Sequence, residues 1–374
     1  MKKYLSLIIK YCVIASLIIF LVTWGLLKNN PDIAEGATRT VVRGYARVAS
    51  FLSALIPFMS LTELFVVSTA AVLIFLLVLA IINFCKKRVV KGLNQLFVIP
   101  IIVLAVVSAY AFSCEMAYNR QEMPLPYYQE EIQRTEHIAI YNYFVDDLNE
   151  CVKELKFKEN GDLEDMSLKD MSKEIKKAYN IISDDYFHPF LGSVKPMASS
   201  FIYRELQIVG VTFAPFEEAI INTLDTNANL PLTIAHELAH TRGVMREEDA
   251  NKLAFYVCLN SDNPYLRYAA YVGYFYQIEA MVSTYYLTDA ERSELHAVSK
   301  EFYQTRSYEY KYWKEHDLLG KIGDFFNDLY LKSSGVDNGT DSYAGDTQYD
   351  VDPTTHKLIP SLYQKLFFTK YYTK

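Results

Sequence analysis

Three long apolar stretches in the first third of the chain constrain its fold more than any other feature. They cover residues 4–27, 61–84 and 96–112. Each runs for roughly 17–24 residues, the length an α-helix needs to cross a hydrocarbon layer about 30 Å thick. From Glu115 onward nothing comparable occurs, and charged residues return at ordinary density. In 374 residues this pattern implies a membrane domain over residues 1–114 and a second domain over residues 115–374. Lys2 and Lys3 precede the first run as they would in a secretory signal. No small-x-small cleavage site precedes Lys28, Asn29 and Asn30, so the run reads as an uncleaved first membrane helix.

Basic residues orient such a bundle. Lys86, Lys87, Arg88 and Lys91 crowd the short, acid-free connection between the second and third runs, whereas the region after the third run, with Glu115, Arg120, Glu122, Glu130 and Glu131, leans acidic. The N-terminus and the basic connection are therefore expected in the cytoplasm of a multi-pass cell-membrane protein, with everything after Phe112 outside. Lys28, Arg39, Arg43 and Arg47 in the first connection weaken the contrast. That connection alternates arginine and apolar residues at helical spacing, as would a helix lying on the membrane surface or one packed over the spans. The net charge of −7 argues against a nucleic-acid binder, which usually shows a basic face. Cys12, Cys85, Cys114, Cys151 and Cys258 form no metal-type spacing and no disulfide framework, and a Cys151–Cys258 bridge has no support in the sequence.

Beyond a proline-containing linker at residues 123–128, helical periodicity dominates. Amphipathic helices are expected over residues 130–155 and 167–183, and long helical patterns from Pro231 to about Leu331, with a last amphipathic piece from Ile359. Residues 207–216 are the best strand candidate, either an edge strand or a plain core strand. The fold class is thus mainly α: three N-terminal transmembrane helices, then a mostly helical α+β domain with a small β element.

The chemistry concentrates at His236-Glu237-Leu238-Ala239-His240. Residues four apart share one face of a helix, so both imidazoles can reach one metal ion, and Glu237 beside them can take a proton from water there. Pro231 suits the first helical turn, and Gly243 suits its termination in a left-handed conformation. A three-residue zinc site needs one further donor, and Glu247, Glu248 and Asp249 follow closely. Ala250, Leu253, Ala254, Val257 and Cys258 make an apolar stripe at helical spacing. At about 100° per residue, Glu247 falls within about 50° of the stripe's centre, Asp249 about 110° away and Glu248 about 160° away. Glu247 is therefore expected to point inward as the third ligand, with Asp249 next, and Glu248 to face solvent. Arg246 borders the inward face as a partner of Glu247 or a substrate contact. Arg267 and Tyr268, on a later helix, are candidates for oxyanion stabilisation or for core packing. His137, His188, His296, His316 and His356 have no spacing partners.

The sequence HELAHTRG followed by REEDANKLAFY resembles the zincin metallopeptidases, in particular the gluzincin pattern with its E-x-x-A-[DN] box, here Glu247-Glu248-Asp249-Ala250-Asn251. The box follows the first motif more closely than in familiar gluzincins. The stretches LIPFMSLTELFVV, VGVTFAPFEEAIIN, YLRYAAY and NDLYLKSSGVDNGTDSY resemble a family of bacterial membrane proteins, the domain of unknown function 3810. The resemblance implies a membrane-anchored, Zn2+-dependent endopeptidase whose zincin-like domain acts on polypeptide outside the cytoplasm, with the lipid bilayer as its other partner. A non-catalytic zinc-binding membrane protein with a structural or signalling role is the alternative.

Overall fold

The structure is a computed structural model that describes residues 2–133, 136–282, 287–333, 348–352 and 358–373. Its N-terminal third holds three helices long and apolar enough to cross a membrane. The first is α1 (Lys2–Leu27) and the second α4 (Leu61–Cys85). The third is a continuous run, Val89–Tyr118, made of α5 (Val89–Leu96), α6 (Val98–Tyr110), a π-helical turn (Ala111–Glu115) and α7 (Met116–Tyr118). Their flanks stay open: Ile19, Val67, Ile74 and Phe75 are among many exposed apolar side chains. Exposure on that scale fits lipid, since soluble surfaces rarely carry large contiguous apolar patches.

The third helix starts earlier and ends later than the expected 96–112. At its start Asn94 accepts from Lys10 and Gln95 from Asn83, so polar residues that depress local hydropathy are satisfied within the bundle. At its end Cys114, Met116, Ala117 and Tyr118 are buried against the rest of the chain. Lys10 meets Asn94 near one end of the bundle and Lys28 meets Glu115, 3.6 Å apart, near the other. Leu27, Leu61 and Tyr118 therefore end on the same side, opposite the basic connection at Lys86, Lys87 and Arg88.

Between the first two spans lie α2 (Pro31–Ala37) and α3 (Arg43–Ala54), joined by a π-helical turn. This segment sits over the end of the third span, as one of the two readings has it, and it also clamps onto the C-terminal part. Buried Glu35 pairs with buried Arg120 at 2.8 Å, Arg43 with Asp185 at 2.9 Å, and the Tyr45 hydroxyl donates to the Pro215 carbonyl at 2.8 Å. These partners lie 85 to 170 residues apart in sequence, which is why local periodicity did not indicate them.

The C-terminal part packs helices around one aromatic-rich core. Helix α8 (His137–Glu154) and α9 (Leu168–Ala178) are followed by β1 (Ser193–Pro196), α10 (Ser200–Glu205), β2 (Gly210–Phe213) and β3 (Glu218–Ile221). The strand order is β1-β3-β2, parallel for β1 with β3 and antiparallel for β2 with β3. The expected strand is thus present and lies at a sheet edge, with Thr212 opposite Ala219 and Phe213 opposite Glu218. After it come α11 (Leu230–Thr241), α12 (Glu247–Leu259), α13 (Pro264–Tyr274), α14 (Tyr276–Met281), α15 (Asp289–Ser293), α16 (Lys300–Glu315) and α17 (Gly320–Ser333). A two-stranded ribbon, β4 (Asp350–Val351) with β5 (Leu358–Ile359), precedes α18 (Leu362–Tyr372). The last helix belongs to the core: Phe367 is fully buried, with ring centroids 4.8 Å from Phe144 and 4.9 Å from Phe255.

All five cysteines are free. His356 lies outside the described residues, as does Asn338-Gly339-Thr340, which spells a glycosylation sequon.

Candidate metal centre

Helix α11 runs through the middle of the core, and along it only Leu232 and His236 are half-buried rather than buried. Pro231 occupies its first turn, and it ends at Gly243, whose φ of +80° is a left-handed conformation that favours glycine. A Cβ there would also stand 2.8 Å from Nε2 of His188. The reversal brings α12 alongside α11, with Glu247 in its first turn.

Three side chains then converge. Nε2 of His236 lies 3.0 Å from Oε2 of Glu247 and 3.1 Å from Nε2 of His240, and His240 Nε2 is 3.6 Å from the same carboxylate oxygen. These are the one such donor cluster among the described residues. The opposite ring nitrogens are already engaged. His240 Nδ1 donates to the Val244 carbonyl at 2.8 Å, and His236 Nδ1 sits 2.8 Å from Oδ1 of Asn251. A carbonyl oxygen can only accept, so neutral His240 carries its proton on Nδ1 and turns the Nε2 lone pair toward His236 and Glu247. Two lone pairs and a carboxylate oxygen at such distances repel unless a proton or a metal ion lies among them. Ligands about 2.0–2.1 Å from a tetrahedral zinc stand roughly 3.3 Å apart, and the three observed separations bracket that value. The residues present therefore fit a zinc ion.

The electrostatics point the same way. Burial alone would lower the pKa of His240, but the Glu247 carboxylate reverses this and holds the imidazole well above its ordinary value. Burial likewise opposes charge on Glu247, and the two histidines outweigh it, holding the carboxyl well below the usual range. The site favours positive charge at its centre. Access is from the His236 side, whose side chain is 16% exposed against 6% for His240.

Glu237 is buried and faces the edge strand. Its Oε2 accepts a hydrogen bond from the Thr212 hydroxyl at 2.7 Å, and Gly210 makes room for it, since a Cβ there would stand 2.6 Å from Oε1. Burial pushes its pKa up, against the pull of His236, His240 and the Thr212 hydroxyl. A carboxyl tuned upward in this way is suited to accept and return a proton.

The other sequence candidates lie elsewhere. Asp249 pairs with Arg246 at 2.6 Å and Lys252 at 2.8 Å, and so is turned from the histidines. Arg246 therefore partners Asp249 rather than Glu247, and it also donates to the Gln121 carbonyl. Glu248 is half-buried rather than solvent-facing, because the surrounding chain covers the outer side of α12. Arg267 binds the Ser261 and Asp262 carbonyls and Asp147. Tyr268 is fully buried, its hydroxyl 2.8 Å from Oγ1 of Thr305. Arg267 is thus half-buried and tied to its own loop and to Asp147, and Tyr268 packs in the core, the second of the two roles considered for them.

Three contributors were not foreseen: Asn251, the Val244 carbonyl and Thr212. Asn251 stands four residues after Glu247, hence on the same helix face, so the box itself carried that signal. Thr212 has no local signal, because its partner lies on another element.

A family model described as a protein of unknown function (DUF3810) matches residues 37–349, most of the chain, leaving α1, nearly all of α2, the β4–β5 ribbon and α18 outside. No curated protein and no solved structure matches the chain.

Proposed function

The chain belongs to the DUF3810 family, and we propose that it is a membrane-anchored, zinc-dependent peptidase with a zincin-like domain. One observation carries the reading: the convergence of His236 Nε2, His240 Nε2 and Glu247 Oε2 beside the buried carboxyl of Glu237. His236, His240 and Glu247 would hold the ion, with Asn251 and Val244 fixing the imidazoles so that Nε2 faces it. A zinc ion there supplies Lewis acidity, which polarises the scissile carbonyl and acidifies water. Glu237 takes the proton from the attacking water, whose oxygen bonds to the carbonyl carbon, and returns it to the departing amine nitrogen as the C–N bond breaks. Thr212 holds the Glu237 carboxylate in line with the sheet edge. Strand β2 has a sheet partner on only one side among the described residues, so its other edge is suited to pair with an extended substrate.

The basic end of the bundle lies opposite this domain, which favours a domain outside the cytoplasm. The test is zinc content of the purified full chain, followed by peptide hydrolysis by wild type and Glu237→Gln. Stoichiometric zinc in both and turnover in wild type alone is expected. Absence of zinc defeats the reading. Zinc without turnover in either protein leaves a non-catalytic zinc site. Reporter fusions at Lys87 and Lys374 should report opposite sides of the membrane.

A further inference from the structure

The candidate centre is built directly onto the ends of the spans. Phe213 follows Thr212 in β2, and its ring centroid lies 6.2 Å from Phe65 of α4 and 6.4 Å from Tyr110 of α6. Met245, in the turn that joins the two ligand-bearing helices, packs in one buried cluster with Cys114, Ala117 and Tyr118 at the end of the third span. Arg120, just past that span, donates to the Gly243 carbonyl of the same turn at 3.0 Å. Glu218, opposite Phe213 in the sheet, accepts from the backbone amides of Leu61 and Thr62 that open the second span, at 3.2 and 3.0 Å.

A second apolar surface lies at the same level. The amides of Ala198 and Ser199, leading into α10, donate to the Glu63 carboxylate in the first turn of α4, at 2.8 and 3.0 Å. Phe201 and Ile202 on α10 are exposed. Helix α17 docks on α10 through Leu319 N–H to the Glu205 carbonyl, 2.8 Å. From there Leu318, Ile322, Phe325 and Leu329 recur at helical spacing, and all four are exposed. An exposed apolar stripe at helical period, tied to the end of a span, is the pattern of a helix lying in a membrane interface.

We propose that the apolar faces of α10 and α17 rest in the head-group layer of the bilayer, and that the centre acts on polypeptide attached to that membrane, cutting it within a few residues of the surface. The second half rests on the peptidase reading. Hydrolysis consumes only water, its hydroxyl going to the carbonyl carbon and its proton to the amine.

The test uses the full chain in phosphatidylcholine and phosphatidylglycerol vesicles. Tryptophan replaces Phe201 or Ile322 in a Trp24→Phe, Trp313→Phe background, and its fluorescence should be quenched when the lipids carry brominated acyl chains. Unquenched fluorescence overturns the proposal whatever the peptides do. Randomised peptides are then offered free, or palmitoylated behind a spacer of about 5 or about 15 residues, roughly 17 or 50 Å when extended. Short-spacer peptides should be cut on the order of 100-fold faster than free ones at micromolar concentration, and no more slowly than long-spacer ones. A requirement for the long spacer, or equal cutting of free peptide, overturns the substrate class. Silence on every pool with quenching intact removes the peptidase reading, and the substrate class with it, while the membrane placement of α10 and α17 stands.

Discussion

Asn251 Oδ1 lies 2.8 Å from Nδ1 of His236, one helix turn along α12 from Glu247 on the same face. The side chain thereby sets which nitrogen of His236 is free for the centre. Losing such a partner typically costs 10–100-fold in metal affinity. Asn251→Ala should weaken zinc binding on that order in competition with a chelator, and Asn251→Asp, which keeps the acceptor, should retain most of it. Equal affinity in Asn251→Ala and wild type would remove the assigned role.

Thr212 should tune Glu237 rather than bind metal. Its hydroxyl favours the ionised carboxylate, so Thr212→Val should raise the pKa of Glu237 further. The acid limb of the pH–rate profile should then move to higher pH, while zinc content stays at the wild-type level. A fall in rate that is the same at every pH would point to simple misfolding instead.

Lys195 and Glu218 form a fully buried ion pair where the sheet meets the second span. Removing one partner of a buried pair costs about 3–5 kcal/mol. Lys195→Met should therefore lower thermal stability in vesicles severely, and Lys195→Met with Glu218→Leu should regain part of the loss. Burial works against charge on Glu218, but Lys195, the Thr62 amide and the Ser53 hydroxyl prevail and lower its folded pKa. Its contribution is therefore present above the unfolded carboxyl pKa and lost as pH falls through the folded one.

Asp225 behaves oppositely. Full burial, reinforced by Glu309, pushes its pKa up to about 8. Between the ordinary carboxyl range and about pH 8 the folded state holds a proton that the unfolded state has released, so stability falls as pH rises across that window. Asp225→Asn lacks the titration, and its stability relative to wild type should climb from pH 5 to pH 8 in denaturant titrations. A constant difference would show that Asp225 does not titrate there.

How legible these features were in the sequence depended on whether the partners were local. The histidine pair and the inward phase of Glu247 follow from 3.6-residue periodicity, and the three spans from length and hydropathy. Strands β1 and β3 were not foreseen. Each has four residues, and their decisive side chains are charged, Lys195 and Glu218, which read as surface until they are seen to neutralise each other. The same holds for Glu35 with Arg120 and for Asp249 with Arg246 and Lys252. Two residues' worth of hydropathy cannot reveal a partner on another element, and such partners decided the clamp of the first connection and the covered face of Glu248, whereas Arg246 pairs with Asp249 only three residues on.

The packing of Met245 on Cys114, Ala117 and Tyr118 has a mechanical consequence. A membrane helix answers a bilayer thicker or thinner than its apolar length by tilting. Here a tilt of the third helix would be passed to the turn that spaces His240 from Glu247 wherever this contact is kept. On the proposed reading, lipid thickness would be coupled to the geometry of the centre through this contact, and acyl-chain length is a condition to vary beside pH.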